Sequence, residues 1–430
     1  MNILIALLSL SFLIIIHEFG HFTVAKLSGI KVHEFALFMG PKLFSIQRGE
    51  TMYSIRLIPL GGYVKMEGEE EASEDSRAFN KKPVLVRAAV IAAGPIMNLL
   101  TALVIILIIT STSGYHTTKI GIIDTTSASA QAGIREGDTI VNYGDKRVYN
   151  MLDLQVFMLY NKGKPVDVKF IRNGKEEHAT VAPEIIPKNR YIIGFTPKEP
   201  FGEGSNIVNA VFEDSAAYQA GLRPNDRIIM INASAISNNR DIRNFMNKNA
   251  GVPINMTVQR NNKTELIEIK PFMDKNDEQY NIGFGFVDEP ASMGNSVKES
   301  FIYAYAISRN IYYQLLGLLT GVFSMSQMAG PVGLVSAIGN VVEQSPNIML
   351  AVLNLLSFTA LISINLGLFN LIPFPALDGS KLLLLAIEGI RRKALPPEKE
   401  AFITMIGFAL LIMLMIFATS NDILRLLGKG

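Results

Sequence analysis

Four long apolar stretches constrain the fold of this 430-residue chain more than any other feature. They occupy residues 1–25, 88–112, 348–379 and 401–420. A helix of about 20 apolar residues is enough to cross the hydrocarbon core of a bilayer. Hydrophobic residues make up 49% of the chain and charged residues only 18%, which is low for a soluble protein. We therefore expect a polytopic α-helical membrane protein with four transmembrane helices.

Lysine and arginine concentrate in two of the connecting segments, residues 26–87 and 380–400. Positively charged loops stay on the cytoplasmic side, so both segments are expected there. The N-terminus, the middle region and a tail at 421–430 then lie on the opposite side. No basic residue precedes Lys26 and no small-residue cleavage site follows, which predicts a retained helix rather than a cleaved signal peptide. The net charge of +2 gives no reason to expect a nucleic-acid partner.

Two further segments have patterns of their own. Apolar and polar residues alternate from Tyr53 to Lys65 around a Gly61-Gly62 turn, which predicts a membrane-associated β-hairpin or looped sheet within residues 26–87. Residues 291–345 are amphipathic and rich in tyrosine, which predicts helices lying in the membrane interface.

The middle region contains an internal repeat. Residues 115–200 and 201–290 each hold the pattern Ala-Gly-Ile/Leu-Arg-x-x-Asp-x-Ile, followed by short β-rich runs. Repetition of one pattern indicates two copies of one structural unit. The repeat resembles two tandem PDZ domains of α+β structure.

The sequence His17-Glu18-Phe19-Gly20-His21 lies inside the first apolar stretch. Residues four apart share one face of a helix, so His17 and His21 can bind one metal ion together. Glu18 is then placed to act as a general base on an activated water. Ionisable residues in a membrane helix are costly and normally mark function. The chain has no cysteine, and imidazole and carboxylate ligands suit zinc, so Zn²⁺ is the expected cofactor.

A catalytic zinc needs a third protein ligand. His33 lies on the same side of the membrane, just after the first helix, but Asp378 at the end of the third stretch is the better candidate. The first and third helices both run toward the cytoplasm. His17, His21 and Asp378 are therefore expected at the same depth.

The segment before Asp378 predicts a substrate-binding region. Pro373 and Pro375 cannot continue a helix. Non-helical backbone at membrane depth must be buried in protein or line a cavity. We assign Asn365, Asn370 and Pro373 to substrate binding. For Asn365, hydrogen bonding between helices is an equally good explanation. Asn98, in the second stretch, is expected to pack rather than to take part in catalysis.

The two motifs together, at 17–21 and in Asn-x-x-Pro-x-Pro-x-Leu-Asp-Gly at 370–379, resemble the site-2 protease family of intramembrane zinc metalloproteases. Gly94-Pro95 with Asn98 is similar to the second helix of that family. The tandem PDZ domains resemble its branch that acts in the bacterial envelope stress response.

The resemblance implies that His17, His21 and Asp378 bind zinc and that Glu18 activates the water. It further implies that the β segment at 53–65 is membrane-re-entrant and adds a strand of unwound substrate. It also implies a bacterial inner (cytoplasmic) membrane protein with periplasmic PDZ domains. The implied substrates are single-span anti-sigma factors already trimmed outside the membrane, and remnant signal peptides.

Two other functions compete with proteolysis. A metal transporter predicts polar residues along several helices, but the first stretch has no acidic residue besides Glu18. A protein-binding scaffold with a dead site predicts loss of a ligand or of the base, and none is lost. The intact motifs favour an enzyme.

Overall fold

The computed structural model describes residues 2–69, 71, 73–186, 190–198, 205–213, 215–274, 278–323, 330–343, 345, 347–393 and 396–426. The chain divides into two compact units. Unit 1 combines Met1–Tyr115 with Pro290–Gly430, and unit 2 is His116–Glu289.

Most of unit 1 is helical, whereas the helices of unit 2 are short. The helices are α1 (Asn2–Leu27), α2 (Val84–Ser113), α3 (Ala128–Gln131), α4 (Met151–Asn161), α5 (Ala216–Gln219), α6 (Asn239–Lys248), α7 (Met293–Thr320), α8 (Pro331–Glu343), α9 (Ile348–Leu371), α10 (Asp378–Arg391) and α11 (Pro397–Leu426), with a 3-10 turn at Phe79–Lys81.

Four described helices are long and apolar enough to cross a membrane, over Leu4–Leu27, Val84–Ser113, Ile348–Leu371 and Glu398–Leu424. They coincide with the four apolar stretches from which transmembrane helices were predicted. The third span ends at Leu371 rather than 379, because the prolines that follow cannot continue it. At the C-terminus α11 extends into the predicted tail, and 427–430 lie outside the described residues.

In unit 1, α2 packs against both α1 and α9. The contact with α1 is close, because a Cβ on Gly20 would overlap the carbonyl of Ala93. The contact with α9 is similar: a Cβ on Gly367 would lie 2.9 Å from the carbonyl oxygen of Pro95. Small residues let membrane helices approach until their backbones nearly touch. Glycine therefore sets the spacing of this three-helix core.

Two long strands, β1 (Val32–Arg48) and β2 (Thr51–Met66), form a sheet beside α1. Residues 34–37 of β1 partner residues 62–65 of β2 on one side and 52–55 on the other. The Ser11 hydroxyl, buried within α1, donates to the carbonyl of Pro59 at 2.7 Å. The tip of the sheet therefore reaches the depth of a transmembrane helix.

A buried ion pair supports the base of this sheet. Glu34 is 6% exposed and accepts from Ser54 at 2.6 Å and from Arg56 at 2.9 Å. Burial by itself raises the pKa of the Glu34 carboxyl, but hydrogen bonds with Ser54, Arg56 and Tyr63 and the charge of Arg56 outweigh it and hold that pKa below its usual range. Glu34 therefore stays charged inside the sheet.

Helix α7 corrects the prediction of interfacial helices over 291–345. Ile307 and Ile311 share a buried cluster with Ala102 and Ile105 of α2, and Ser300 hydrogen-bonds Thr110 at 2.8 Å between hydroxyl oxygens. The helix packs along α2 instead of resting on a surface. An amphipathic pattern shows that one face is apolar but not whether lipid or another helix covers it.

Unit 2 is built from the remaining strands. They are β3 (Tyr115–Ile123), β4 (Thr139–Tyr143), β5 (Lys146–Arg147), β6 (Val166–Arg172), β7 (Lys175–Val181), β8 (Glu184–Ile186), β9 (Arg190–Ile192), β10 (Phe195–Pro197), β11 (Val208–Val211), β12 (Arg227–Ile231), β13 (Ser234–Ala235), β14 (Ile254–Arg260), β15 (Lys263–Ile269), β16 (Phe272–Asp274), β17 (Gln279–Asn281) and β18 (Phe284–Glu289).

One β subdomain of unit 2 is inserted into the other. The first β subdomain has a sheet in the order β18-β3-β4-β6-β7 and a β8–β17 pair. The second β subdomain, from β9 to β16, holds the sheet β13-β12-β14-β15 and the pairs β10–β11 and β9–β16. The predicted boundaries at 200/201 and 290 therefore shift. β9 and β10 belong to the second subdomain, and β18 returns to the first.

The two subdomains repeat the same internal contacts. Arg172 pairs with Asp138 at 2.7 Å and donates to the carbonyl of Gly133 at 2.7 Å. Arg260 pairs with Asp226 at 2.6 Å and donates to the carbonyl of Gly221 at 2.8 Å. Both arginines hold the loop of the repeated Ala-Gly-Ile/Leu-Arg pattern, so the repeat in sequence is a repeat in structure.

Candidate metal centre

Helices α1 and α10 bring three potential metal ligands together. His17 and His21 lie one turn apart on α1, and Asp378 is the first residue of α10. Nε2 of His17 lies 3.1 Å from Nε2 of His21 and 3.0 Å from Oδ2 of Asp378, and the third separation, His21 to Asp378, is 3.4 Å. A tetrahedral zinc with bonds of about 2.0–2.1 Å holds its ligand atoms about 3.3 Å apart. The three side chains therefore fit zinc.

Both histidines are oriented by groups on α2. Nδ1 of His21 donates to the carbonyl of Val90 at 2.8 Å, which leaves Nε2 free for a metal. Nδ1 of His17 lies 3.1 Å from the side-chain amide of the fully buried Asn98. The nitrogen and oxygen of an amide are assigned only from their bonding. With the oxygen facing His17, Asn98 accepts from Nδ1–H and again frees Nε2.

Glycine on α2 provides room for the imidazoles. A Cβ on Gly94 would overlap Nε2 of His21 and lie 2.8 Å from Nε2 of His17. The sequence analysis singles out Gly94-Pro95 with Asn98, but it expects Asn98 to serve helix packing. The structure instead places that side chain against a predicted metal ligand.

Asp378 owes its position to the break after α9. The backbone turns at Ala376, where φ is 75°, and α10 begins two residues later, at Asp378. A Cβ on Gly379 would overlap the carbonyl of Ile372, and a Cβ on Gly407 of α11 would overlap the carbonyl of Pro375. The loop is thus packed against α11. This packing presents Asp378 to α1.

The other predicted residues lie around this centre without joining it. Pro373 is exposed, and Asn365 and Asn370 are half-buried. Neither asparagine side chain has a hydrogen bond within the described ranges. His33 lies 2.6 Å from Glu67, and it is not part of the His17, His21 and Asp378 cluster.

Glu18 faces the β1–β2 sheet. A Cβ on Gly62 of β2 would lie 3.9 Å from Cγ of Glu18. The backbone of β2 therefore passes beside the carboxylate next to the metal ligands.

Two ion pairs tie α10 to its surroundings. Arg87 at the start of α2 binds both carboxylate oxygens of Glu388, one of them at 3.2 Å. Lys381 donates to Glu69, after β2, at 3.2 Å. An arginine that contacts both oxygens of a carboxylate also fixes the relative orientation of the two side chains. These contacts limit movement of the helix that carries Asp378.

Two histidines and a glutamate on a helix long and apolar enough to cross a membrane, with an aspartate of α10 completing zinc geometry, define a membrane-embedded zinc hydrolase. The model of peptidase family M50 matches residues 5–414. The chain belongs to this family, and it is a zinc metalloprotease of the site-2 protease type. The predicted family, enzyme class and zinc cofactor are confirmed.

Relatives match over almost their full length. A protein of Clostridium acetobutylicum named as a zinc metalloprotease is 32% identical over 98% of this chain and 97% of its own. A protein of Enterococcus faecalis named as the protease eep is 32% identical over 96% of both chains. The zinc metalloprotease RasP of Geobacillus kaustophilus is 29% identical over 96% of this chain and 95% of its own.

Solved structures match only part of the chain. The HtrA3 PDZ domain bound to a phage-derived ligand is 20% identical over 21% of this chain and 88% of its own, with a TM-score of 0.16. The HtrA-type protease AlgW with decapeptide is 19% identical over 26% of this chain and 42% of its own, with a TM-score of 0.20. Likeness at this level carries no argument.

Proposed function

We propose that the chain cuts transmembrane segments of single-span proteins inside the bilayer, with His17, His21 and Asp378 as zinc ligands and Glu18 as general base. The observation that carries the proposal is the meeting of His17 and His21, on a helix long and apolar enough to cross a membrane, with Asp378 at the start of α10, which packs against the second such helix, α2. Water-soluble peptides have no access to such a depth. The substrate that shares this environment is another membrane helix.

Zinc held by His17, His21 and Asp378 would supply Lewis-acid chemistry, polarising a peptide carbonyl and making a water more acidic. Glu18 takes the proton of the attacking water and returns it to the leaving amine. Asn98 and the Val90 carbonyl keep both imidazoles in the tautomer that binds metal. A helix hides its carbonyls in its own hydrogen bonds, so the substrate must unwind before it reacts.

The β1–β2 sheet supports a way to hold unwound substrate. Within the described strands, residues 62–66 pair only with β1, and Gly62 lies beside Glu18. An extended peptide can add to a free strand edge through its main chain. Half-buried Asn365 and Asn370 and the exposed Pro373 are proposed to contact substrate close by.

The substrates we propose are anti-sigma factors already trimmed outside the membrane, and remnant signal peptides. Unit 2 is proposed to comprise two PDZ domains that exclude untrimmed proteins by size. The proposed setting is the bacterial inner (cytoplasmic) membrane, with unit 2 on the periplasmic side and the metal centre near the cytoplasm. The placement of Lys and Arg in residues 26–87 supports this orientation.

The test is cleavage of a tagged single-span substrate by purified protein, with zinc content measured on every sample. Wild type should cut, Glu18→Gln should keep zinc but not cut, and Asp378→Asn should lose both zinc and cleavage. Thr112→Ala, whose hydroxyl bonds only its own helix backbone, is the control. Cleavage retained by Glu18→Gln would contradict the base assignment. Zinc binding without cleavage of trimmed substrate would favour transport or binding instead.

A further inference from the structure

We propose that a groove between α1, α2 and α9 docks the transmembrane helix of the substrate by receiving one of its large apolar side chains. This docking groove is lined by Phe12 of α1, Leu100 and Val104 of α2, and Leu355 and Leu356 of α9, among others. It encloses about 610 Å³, within the range of about 300–1,000 Å³ that is usual for ligand pockets. The inference rests on the proposed cleavage and adds a site that selects among substrate helices.

The walls of the docking groove suit an apolar occupant that arrives through lipid. Thr101 and Thr359 also line it, but their hydroxyls donate to carbonyls of their own helices at 2.8 and 2.7 Å. Phe12, Leu100 and Val104 are about half exposed, so the groove is open toward the bilayer. A side chain that enters it therefore needs no polar group and need not pass through water.

The docking groove continues from the candidate metal centre along α2. Gly94, Met97 and Thr101 are spaced three and four residues apart, so they share one face of that helix. Gly94 lies against both imidazoles of the centre, and a Cβ on Gly20 of α1 would lie 3.0 Å from Cβ of Met97. Met97 thus joins the floor of the groove to the turn of α1 that carries the histidines.

The docking groove also continues along α9 toward a proposed substrate contact. Thr359, Ser363 and Asn370 are spaced four and seven residues apart and share one face of α9. Thr359 lines the groove, and the hydroxyl of Ser363 donates to the carbonyl of Asn98 at 2.8 Å. Asn370 is proposed above to contact substrate. A helix lying along this face meets both the groove and Asn370, which favours substrate over a lipid chain as the occupant.

The distance from the metal centre predicts which substrate residue is selected. Thr101 follows Gly94 by seven residues, a rise of about 10 Å along the helix. Phe12 precedes His17 on α1, so the groove lies on the side of the centre that is proposed to face the periplasm. Substrate on this side stays helical, because open backbone in lipid is costly. The selected side chain is therefore about seven residues from the cut, on its periplasmic side.

The first experiment is a scan of the substrate by purified full-length protein. A tagged single-span helix carries alanine over about three to eleven residues on the periplasmic side of the cut, and one leucine is moved through them. The cut is located by mass spectrometry of the fragments. The value of kcat/KM should peak about fivefold with leucine near the seventh residue, a modest gain because lipid tails are as apolar as leucine and only packing improves.

Variants assign the peak to the docking groove. Val104→Phe fills the groove and should remove the preference for leucine, whereas Leu100→Ala enlarges it and should move the preference to phenylalanine. Ile96→Phe is the matched control, since Ile96 is an exposed residue of α2 that does not line the groove. A flat scan in wild type would overturn the proposal, as would a leucine preference that Val104→Phe retains. Rates that follow the acyl-chain length of the bilayer and not the leucine position would assign the groove to lipid.

Disulfide cross-linking tests docking without cleavage, because the chain has no cysteine of its own. Val104→Cys is placed in the Glu18→Gln protein and combined with substrates that carry a single cysteine at each scanned position. Cross-linking should peak at the same position as the leucine scan, and Ile96→Cys should give no such peak. A cross-linking peak in a protein whose wild type cuts nothing would keep the docking groove and reject proteolysis. Cleavage without any positional peak would do the reverse.

Discussion

Nδ1 of His17 and the side-chain amide of Asn98 lie 3.1 Å apart and join α1 to α2 inside the membrane. Groups that hold a metal-binding histidine fix its tautomer and its ring orientation, and their loss typically costs 10- to 100-fold in metal affinity. As placed, Nδ2 of Asn98 faces His17, and the buried Oδ1 has no hydrogen-bond partner among the described residues. Exchanging the two amide atoms gives Oδ1 the N–H of His17 as its partner.

Replacement of Asn98 by Ala should weaken zinc binding by about 10- to 100-fold. The reason is that His17 loses the group that fixes its tautomer. Competition with a chelator measures the affinity directly. Thr101→Ala is the matched control one turn away, since that hydroxyl bonds only the carbonyl of Met97 in its own helix. Equal zinc affinity in Asn98→Ala and wild type would refute the role given to Asn98.

Gly94→Ala should abolish zinc binding with little change elsewhere. The added methyl would overlap the imidazole of His21 and crowd that of His17, so one ring must leave the ligand position. Zinc content after dialysis is the measurement. Gly389→Ala in α10 is the control, because its Cβ would meet only Val84 at an ordinary 3.8 Å. That change should be neutral or stabilising by about 0.5–1 kcal/mol. Normal zinc content in Gly94→Ala would contradict the close contact.

The ion pair between Arg87 and Glu388 should hold α10, and with it Asp378. Arg87→Met or Glu388→Gln alone leaves a partly buried charge without its partner and should lower both stability and cleavage. The exchanged pair Arg87→Glu with Glu388→Arg should recover part of the loss. A double-mutant cycle on thermal unfolding should give a coupling of about 1–3 kcal/mol. Strictly additive single effects would show that the pair does not link α2 to α10.

The meeting of the three proposed metal ligands follows from patterns that the sequence shows directly. Helical spacing places His17 beside His21, and the direction of the spans brings Asp378 to the same depth. The role given to Asn98 was not predictable from sequence, because a buried amide in a membrane helix serves packing as readily as it orients a metal ligand. Which neighbour the amide meets depends on how α2 packs against α1.

In the fold, too, the elements set by local sequence are predictable, and those set by contacts between distant residues are not. Long apolar stretches predict transmembrane helices regardless of context. The return of β18 to the first β subdomain depends on pairing with the distant β3, which no local pattern encodes. Helix α7 similarly has the amphipathic pattern of an interfacial helix, and only its contacts with α2 show where it lies.

Asp422 of α11 anchors α8. It is 3% exposed and accepts from the backbone N–H of Gly330 at 3.1 Å and of Gly333 at 2.7 Å. A carboxylate at a helix N-terminus satisfies otherwise free N–H groups and opposes the helix dipole. A Cβ on Gly330 would lie 2.7 Å from Asp422, so the contact also needs glycine.

Asp422→Ala should therefore release the start of α8 from α11, at a cost of about 1–2 kcal/mol. Hydrogen exchange at the amides of Gly330 and Gly333 should rise by about 5- to 30-fold, the ratio that corresponds to this free energy. Asp422→Asn keeps one acceptor oxygen and should lie between. Thr419→Ala, whose hydroxyl bonds only Met415 of its own helix, should exchange like wild type. Because α8 also packs against α1, which carries both histidines, cleavage should fall in step with the loss of protection. Faster exchange with unchanged cleavage would show that α8 moves independently of the metal centre.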